Sequence, residues 1–184
     1  MGPRIILIDG YNVIRNIPAL AAAERLSLRD GREALLAQVV ARYRHTPHRV
    51  VVVFDGDGPV ETTQPIPRMS RGQIIFTRRG ELADAVIQRL AAAGCERAAD
   101  VVVASNDLEV RMSVEQHGGS SARVDALAAR LNEPPAFQRR LAQHRAYVRQ
   151  QWESAEDDIP PARRGGNPRR TSKRQRTRPF DPLA

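Results

Sequence analysis

Four short apolar runs, each followed by a polar turn and a helical segment, constrain this chain more than any other feature of it. The runs are Ile5–Ile8, Arg49-Val-Val-Val-Val-Phe54, Gln73-Ile-Ile-Phe-Thr77 and Val101-Val-Val-Ala104. They lack the apolar–polar alternation of a half-exposed sheet, so each reads as a strand covered on both faces. Between them, residues 28–45 place Leu28, Leu35, Val39 and Tyr43 at helical spacing, with Ser27 or Asp30 near the start as caps. Residues 81–93 stripe Leu82, Val86, Ile87 and Leu90, and two further short helices are expected at 107–116 and 124–131 with Gly118-Gly119 between them. Strand and helix in alternation predict an α/β fold with a mostly parallel central sheet between helical layers.

In such a sheet the ligand crevice lies beyond the carboxyl ends of the strands, and acids recur there. Asp9 ends the first run, just before Gly10 and Asn12. Asp55 ends the second, in Phe54-Asp55-Gly56-Asp57-Gly58, and Asp107 follows the fourth, in Ala104-Ser105-Asn106-Asp107. Asp84 sits in the first turn of the helix after the third run, with Glu81 three residues earlier and expected on the same side of that helix. Any one of these is an ordinary turn or cap residue. Four at one sheet end are harder to explain as caps, because crowded carboxylates repel one another unless a cation stands among them. An all-oxygen set without cysteine or spaced histidine suits Mg²⁺ or Mn²⁺, and such ions support water attack on a phosphodiester.

Sharper motifs are missing. No glycine-rich dinucleotide fingerprint or phosphate-binding loop follows a strand, Asp55-Gly-Asp57-Gly lacks the rest of a calcium loop, and Ser105 lacks the flanking glycines of a nucleophile elbow. Cys95 is alone, which excludes an internal disulfide. No apolar run approaches the span of a membrane helix, so a cytoplasmic protein without a membrane partner is expected. The net charge of +8 is unevenly placed: residues 160–184 hold eight basic residues against Asp181, so the body is nearly neutral. That Pro-, Gly- and Arg-rich tail has too little apolar content to offset the entropy of ordering, and it is expected to be disordered. Aromatic residues are only 4% of the chain, which leaves few platforms for stacking bases.

Ile8-Asp9-Gly10-Tyr11-Asn12, Val53-Phe54-Asp55, Gly80-Glu81-Leu82-Ala83-Asp84 and Ser105-Asn106-Asp107, in that order, resemble the NYN domain family, in particular its YacP-like bacterial nucleases, which are relatives of the PIN-domain ribonucleases. The resemblance covers about residues 3–131. It implies a PIN-like three-layer sandwich and a divalent-metal endoribonuclease using Mg²⁺ or Mn²⁺, acting in mRNA decay or RNA processing, on mRNA or structured RNA, and in some members on the ribosome. Carried over residue by residue, Asp9, Asp84 and Asp107 would be catalytic metal-site acids. Asn12 would position one of them or the scissile phosphate, and Asp55 would bind metal or orient a ligand. Glu81, Ser105 and Asn106 would stand behind the ligands or add an acid. The chain departs from the pattern at Ala85 and Gln88, where further acids are expected, and this keeps open a non-catalytic RNA- or ribosome-binding module on the same fold. A phosphatase of the haloacid dehalogenase type also places an Asp after its first strand, but it needs a second acid at position 11, where this chain has Tyr11.

The expected organisation is therefore a nuclease-like domain over 1–131, a helical extension over 132–158 with an apolar stripe of Phe137, Leu141 and Tyr147 or Val148 against the domain, and a basic tail over 159–184. Gly56–Arg71 reads as a long mobile flap over the crevice. Arg68 and Arg71 in that flap, Arg78 and Arg79 before Glu81, and Arg169, Arg170, Lys173 and Arg174 in the tail are the candidate RNA contacts.

Overall fold

The structure, a computed structural model, describes residues 2–134 and 136–157. The β-branched runs form β1 (Arg4–Asp9), β2 (Arg49–Gly58), β4 (Gly72–Arg78) and β5 (Asp100–Ala104), joined by two short strands, β3 (Thr62–Pro65) and β6 (Ser120–Ala122). The helices are α1 (Gly10–Asn16), α2 (Pro18–Glu24), α3 (Leu28–Tyr43), α4 (Ala83–Glu96), α5 (Leu108–Gln116), α6 (Val124–Asn132) and α7 (Ala136–Asp157). The sheet order is β3-β4-β2-β1-β5-β6, parallel throughout except for the antiparallel edge pair of β3 and β4.

Side chains of successive strand residues point to opposite faces, and the core divides accordingly. Ile6, Ile8, Val50, Val52, Phe54 and Ile74 pack beneath α1, α2, α3 and α6. Leu7, Val51, Val53, Ile75, Val101 and Val103 pack against α4 and α5 on the other face. This is the three-layer α/β/α arrangement the runs predict. From β1 the chain crosses by α1–α3 to β2 on one side, and α4 later carries it to β5 on the other. The strand order therefore switches at β1, and the crevice is expected above that strand's carboxyl end.

Three expectations need correction. Two helices lie between β1 and α3 where none is expected. They are separate because Pro18 starts α2 and holds Ile17 extended (φ −107°, ψ 112°). The segment 56–71 is not a flap: β2 continues to Gly58, the chain returns along the sheet edge as β3, and Ile66 and Met69 are buried in the core. Finally, α4 begins at Ala83, so Glu81 lies in the loop before the helix and not one turn along it.

The compact unit containing the sheet runs to Leu141. The described part of the second unit, 142–157, is helical. Of the stripe expected on α7, Leu141 and Tyr147 are exposed, and the Phe137 side chain is outside the described residues. The tail lies outside them too, with Arg169, Arg170, Lys173 and Arg174. No helix among the described residues is long and apolar enough to cross a membrane.

Candidate functional site

Asp9 is both the last residue of β1 and the N-cap of α1, where its Oδ1 accepts the Asn12 N–H at 3.1 Å. Gly10 makes that abrupt change possible, since a side chain there would run into the Phe54 ring. Asp9 is 7% exposed. Burial, together with the negative charges of Asp84, Asp55 and Asp107, raises its pKa to about 6, while the Asn12 N–H opposes the rise. Asp84, half-buried in the first turn of α4, is also raised, by burial and then by Asp107, Asp55 and Glu109. Four acids from β1, β2, α4 and the β5–α5 junction thus share one electrostatic environment.

Each acid is held by the fold. Asp55 Oδ1 accepts the Ala83 N–H at 2.8 Å, capping α4 from a neighbouring strand because Leu82, at the N-cap, supplies no side-chain acceptor. That bond fixes the turn carrying Asp84. Asp107 caps α5, its Oδ1 accepting from Glu109 N (2.8 Å) and Val110 N (3.2 Å), and its own N–H donates to the fully buried Ser105 hydroxyl at 3.0 Å. Asn12 ties the loops together: its Oδ1 accepts the Asn106 N–H at 3.2 Å, and Asn106 Oδ1 accepts the Val124 N–H at 3.0 Å. The β1–α1, β5–α5 and α6 junctions are linked by these two amides.

Replacing Asp55 by Ala removes the α4 cap, whereas Asn keeps an acceptor oxygen. Asp55→Ala is therefore expected to be about 1 kcal/mol less stable than Asp55→Asn in urea unfolding. Equal stability would show that the capping bond contributes nothing.

The acids border two adjoining hollows. One, about 210 Å³, is lined by Asp9, Asn12, Asp55 and Asp84 together with Tyr11, Arg15, Asn16 and Leu82. The other, about 480 Å³, is lined by Asp84, Asp107 and Glu109, and also by Arg78, Glu81, Ala85 and Gln88. Asp84 and Leu82 stand on the ridge between them. Glu81 is already paired there: it meets Arg78 at 3.1 Å and Arg89 at 3.0 Å, and Arg89 also holds Glu61. Arg79 is also at this end, its Nε donating to Asp57 O at 3.1 Å. Arg68 and Arg71 are not. Val50, at the start of β2, donates its N–H to Arg71 O, which puts both arginines at the amino ends of the strands.

Arg15 is a functional candidate that the sequence does not flag, because no helix is legible there. From α1 it reaches the smaller hollow, its guanidinium 5.2 Å from the centre of the Tyr11 ring, and its side chain is mostly exposed. The only local signal is its place three residues after Asn12.

No group of three His, Cys, Asp or Glu side chains among the described residues stands close enough to enclose a metal ion. The donor chemistry nevertheless fits Mg²⁺ or Mn²⁺: every candidate ligand is a carboxylate oxygen, and Mg²⁺ commonly takes one or two carboxylates and keeps several waters. The raised Asp9 and Asp84 carboxyls fit as well, since a cation between them would offset the repulsion.

A family model described as the YacP-like NYN domain matches residues 6–159. That match takes in α7, which the motif resemblance leaves out. The uncharacterized protein YacP of Bacillus subtilis (strain 168) is 30% identical over 137 residues, covering 74% of this chain and 78% of the relative. The crystal structure of Rae1 (YacP) from Bacillus subtilis, in a tryptophan-to-leucine mutant form, superposes with a TM-score of 0.61 at 25% identity, over 84% of this chain and 89% of the other. A second crystal structure of Rae1 (YacP), at 24% identity and a TM-score of 0.59, shares the fold over 84% and 87% of the two chains.

Proposed function

This chain belongs to the YacP-like NYN domain family, which has a nuclease-like fold, and we propose that it is a divalent-metal-dependent endoribonuclease hydrolysing internal phosphodiester bonds of RNA. The observation that carries this reading is the Asp9 carboxyl at the strand-order switch, its pKa raised first by burial and further by three neighbouring aspartates.

In this reading Asp9 and Asp84, which line the smaller hollow, would hold a hydrated Mg²⁺ or Mn²⁺, and Asp107, which lines the larger one, would add a further oxygen through one of the ion's waters. The ion, when bound, lowers the pKa of a coordinated water and offsets charge on the phosphoryl oxygens. Asn12 keeps the Asp9 carboxylate oriented through its backbone N–H. Arg15, in the same hollow as Asp9 and Asp84, is placed to hold a phosphate oxygen against the acids. Arg78 and Arg79 contact the strand further along, and Leu82 gives an exposed apolar wall for a base. We assign mRNA or structured RNA as substrate, in mRNA decay or RNA processing in the cytoplasm. Ribosome association and an RNA-binding role for the basic tail rest on the family resemblance and on charge alone.

One observation favours a second reading, a non-catalytic RNA-binding module: no three of the acids stand at ligating distance from a common point. Incubating single-stranded and structured RNAs with the full chain and Mn²⁺ separates the two. Internal cleavage is expected, abolished by chelator and reduced at least about 100-fold in Asp84→Asn, since losing even the supporting partners of a metal ligand costs about 10–100-fold. RNA binding without cleavage in Mn²⁺ would establish the binding module instead.

A further inference from the structure

A pocket of about 260 Å³ lies beneath α6, against the face of β1, β5 and β6, and shares no residue with the two acidic hollows. Its inner wall is apolar, made by Ile6, Val102, Ala104 and Leu127. One end is cationic. Arg4 enters it from the start of β1, Arg130 from the last turn of α6 and His48 from the loop before β2, with the buried Tyr43 between them.

These groups are held in place. Arg4 pairs with Asp100 at 2.7 Å, and its backbone N–H donates to His48 Nδ1 at 3.2 Å. With Nδ1 accepting, the neutral His48 ring presents its Nε2–H as a donor. Arg42 donates from Nε to the Arg130 carbonyl at 3.0 Å, locking the ends of α3 and α6 together. Arg130 faces the Tyr43 hydroxyl. Burial and the three guanidiniums of Arg4, Arg130 and Arg42 together push the His48 pKa down, against Asp100. Asp100 neutralises Arg4, but neither Arg42 nor Arg130 makes an ion pair among the described residues. The pocket therefore carries positive charge beside hydrogen-bond donors, over an apolar floor.

We propose that this pocket is a second ligand site, which binds a phosphate monoester through Arg130 and His48. Arg42, held behind Arg130, adds positive charge. Its chemistry selects the class. A guanidinium matches two phosphate oxygens bidentately, and the His48 donor in the same pocket offers a partner for a third oxygen, which a carboxylate lacks. A volume near the lower end of small-molecule sites suits a small ester or one terminal nucleotide, not the middle of a polymer.

The test is thermal unfolding and calorimetric titration of the full chain with inorganic phosphate, with a nucleoside 5′-monophosphate, and with short RNAs bearing a 5′-phosphate or a 5′-hydroxyl. Saturable stabilisation by phosphate or the monophosphate is expected, weakened about tenfold or more in Arg130→Gln, because a charge-assisted hydrogen bond is lost. Arg123→Gln, an exposed arginine outside the pocket, should bind like the parent. Tighter binding of the free monophosphate than of either RNA assigns a nucleotide ligand, and preference for the 5′-phosphorylated RNA assigns an RNA end. If Arg130→Gln melts below the parent in phosphate-free buffer, Ser120→Glu, which brings a carboxylate to the pocket rim, replaces it as the variant expected to lose binding. Equal affinity in the parent and the pocket variants, or no saturable binding, would overturn the proposal.

Discussion

Asp9→Asn is expected to melt several degrees above the parent protein at pH 7.5 and to have no measurable RNA cleavage. The stability half of this follows from the pKa of the buried acid. Asp9 titrates near 6 in the folded chain against an ordinary value of 3.8, so the folded state binds its proton more tightly than the unfolded state does. Between those values the unfolded chain has already released the proton, and stability falls as pH rises. The contribution is intact below about pH 3.8 and lost above about 6, with a difference of about 3 kcal/mol. Asparagine carries no charge to bury and keeps an oxygen for the Asn12 N–H. The melting difference between the two proteins should therefore be near zero at about pH 4 and fully open above about pH 6.5. Asp84 is raised in the same direction, but it is common to both proteins, so the comparison isolates Asp9. Adding Mn²⁺ at pH 7.5 should stabilise the parent and leave Asp9→Asn nearly unmoved, because a ligand binding only the folded state adds stability in proportion to its affinity. A melting difference that stays flat from pH 4 to 8 would refute the buried-charge account. Cleavage surviving the substitution would remove Asp9 from the site.

Stability sacrificed at Asp9 marks where local sequence and fold are in conflict, and such places decide what can be read from sequence. Ile5–Ile8 and Val50–Phe54 are legible because β-branched runs buried on both faces have few alternatives. β3 is not, since Thr62–Pro65 is exposed along its whole length and gives no alternating pattern. Its Pro65 also favours a loop reading, although proline is tolerated on an edge strand. α1 and α2 escape notice because seven residues each give too short a window for helical periodicity. Position reveals the acids, and with it the cap reading of Asp107, which does cap α5, but the capping role of Asp55 is hidden. The start of α4 reads too early because its capping acceptor is Asp55, 28 residues upstream. Glu81 groups with the other acids in the sequence because its partners, Arg78 and Arg89, are visible only once the chain folds. Arg68 and Arg71 suggest themselves for the crevice because a loop is expected where the chain in fact runs back along the sheet edge.

Gly56→Ala is expected to lose about 3 kcal/mol of stability and most of the activity, although residue 56 touches no substrate in the proposed reaction. Gly56 follows Asp55 where the pairing of β2 with β4 is irregular, the register shifting between Phe54 and Gly58. Its N–H donates to the buried Thr77 hydroxyl at 3.0 Å, which draws the two backbones together. A Cβ there would overlap the Thr77 carbonyl oxygen and lie 3.1 Å from Thr77 C and 3.2 Å from Thr77 N. These are backbone atoms, so no rotamer change relieves the clash and β2 must separate from β4. Overpacking of this kind costs about 1–3 kcal/mol, and a rigid backbone neighbour puts the cost at the upper end. The displacement moves Asp55 directly. Because Asp55 caps α4 at Ala83, the turn bearing Asp84 moves with it, and shifts of about 1 Å near reacting groups cost about 100-fold in rate. Gly58→Ala, two residues on, supplies the control, because its Cβ would meet nothing nearer than Val60 O at 3.6 Å. It should unfold and cleave like the parent. Were Gly56→Ala to match Gly58→Ala in both assays, the close approach of β2 to β4 could not be what holds Asp55 against α4.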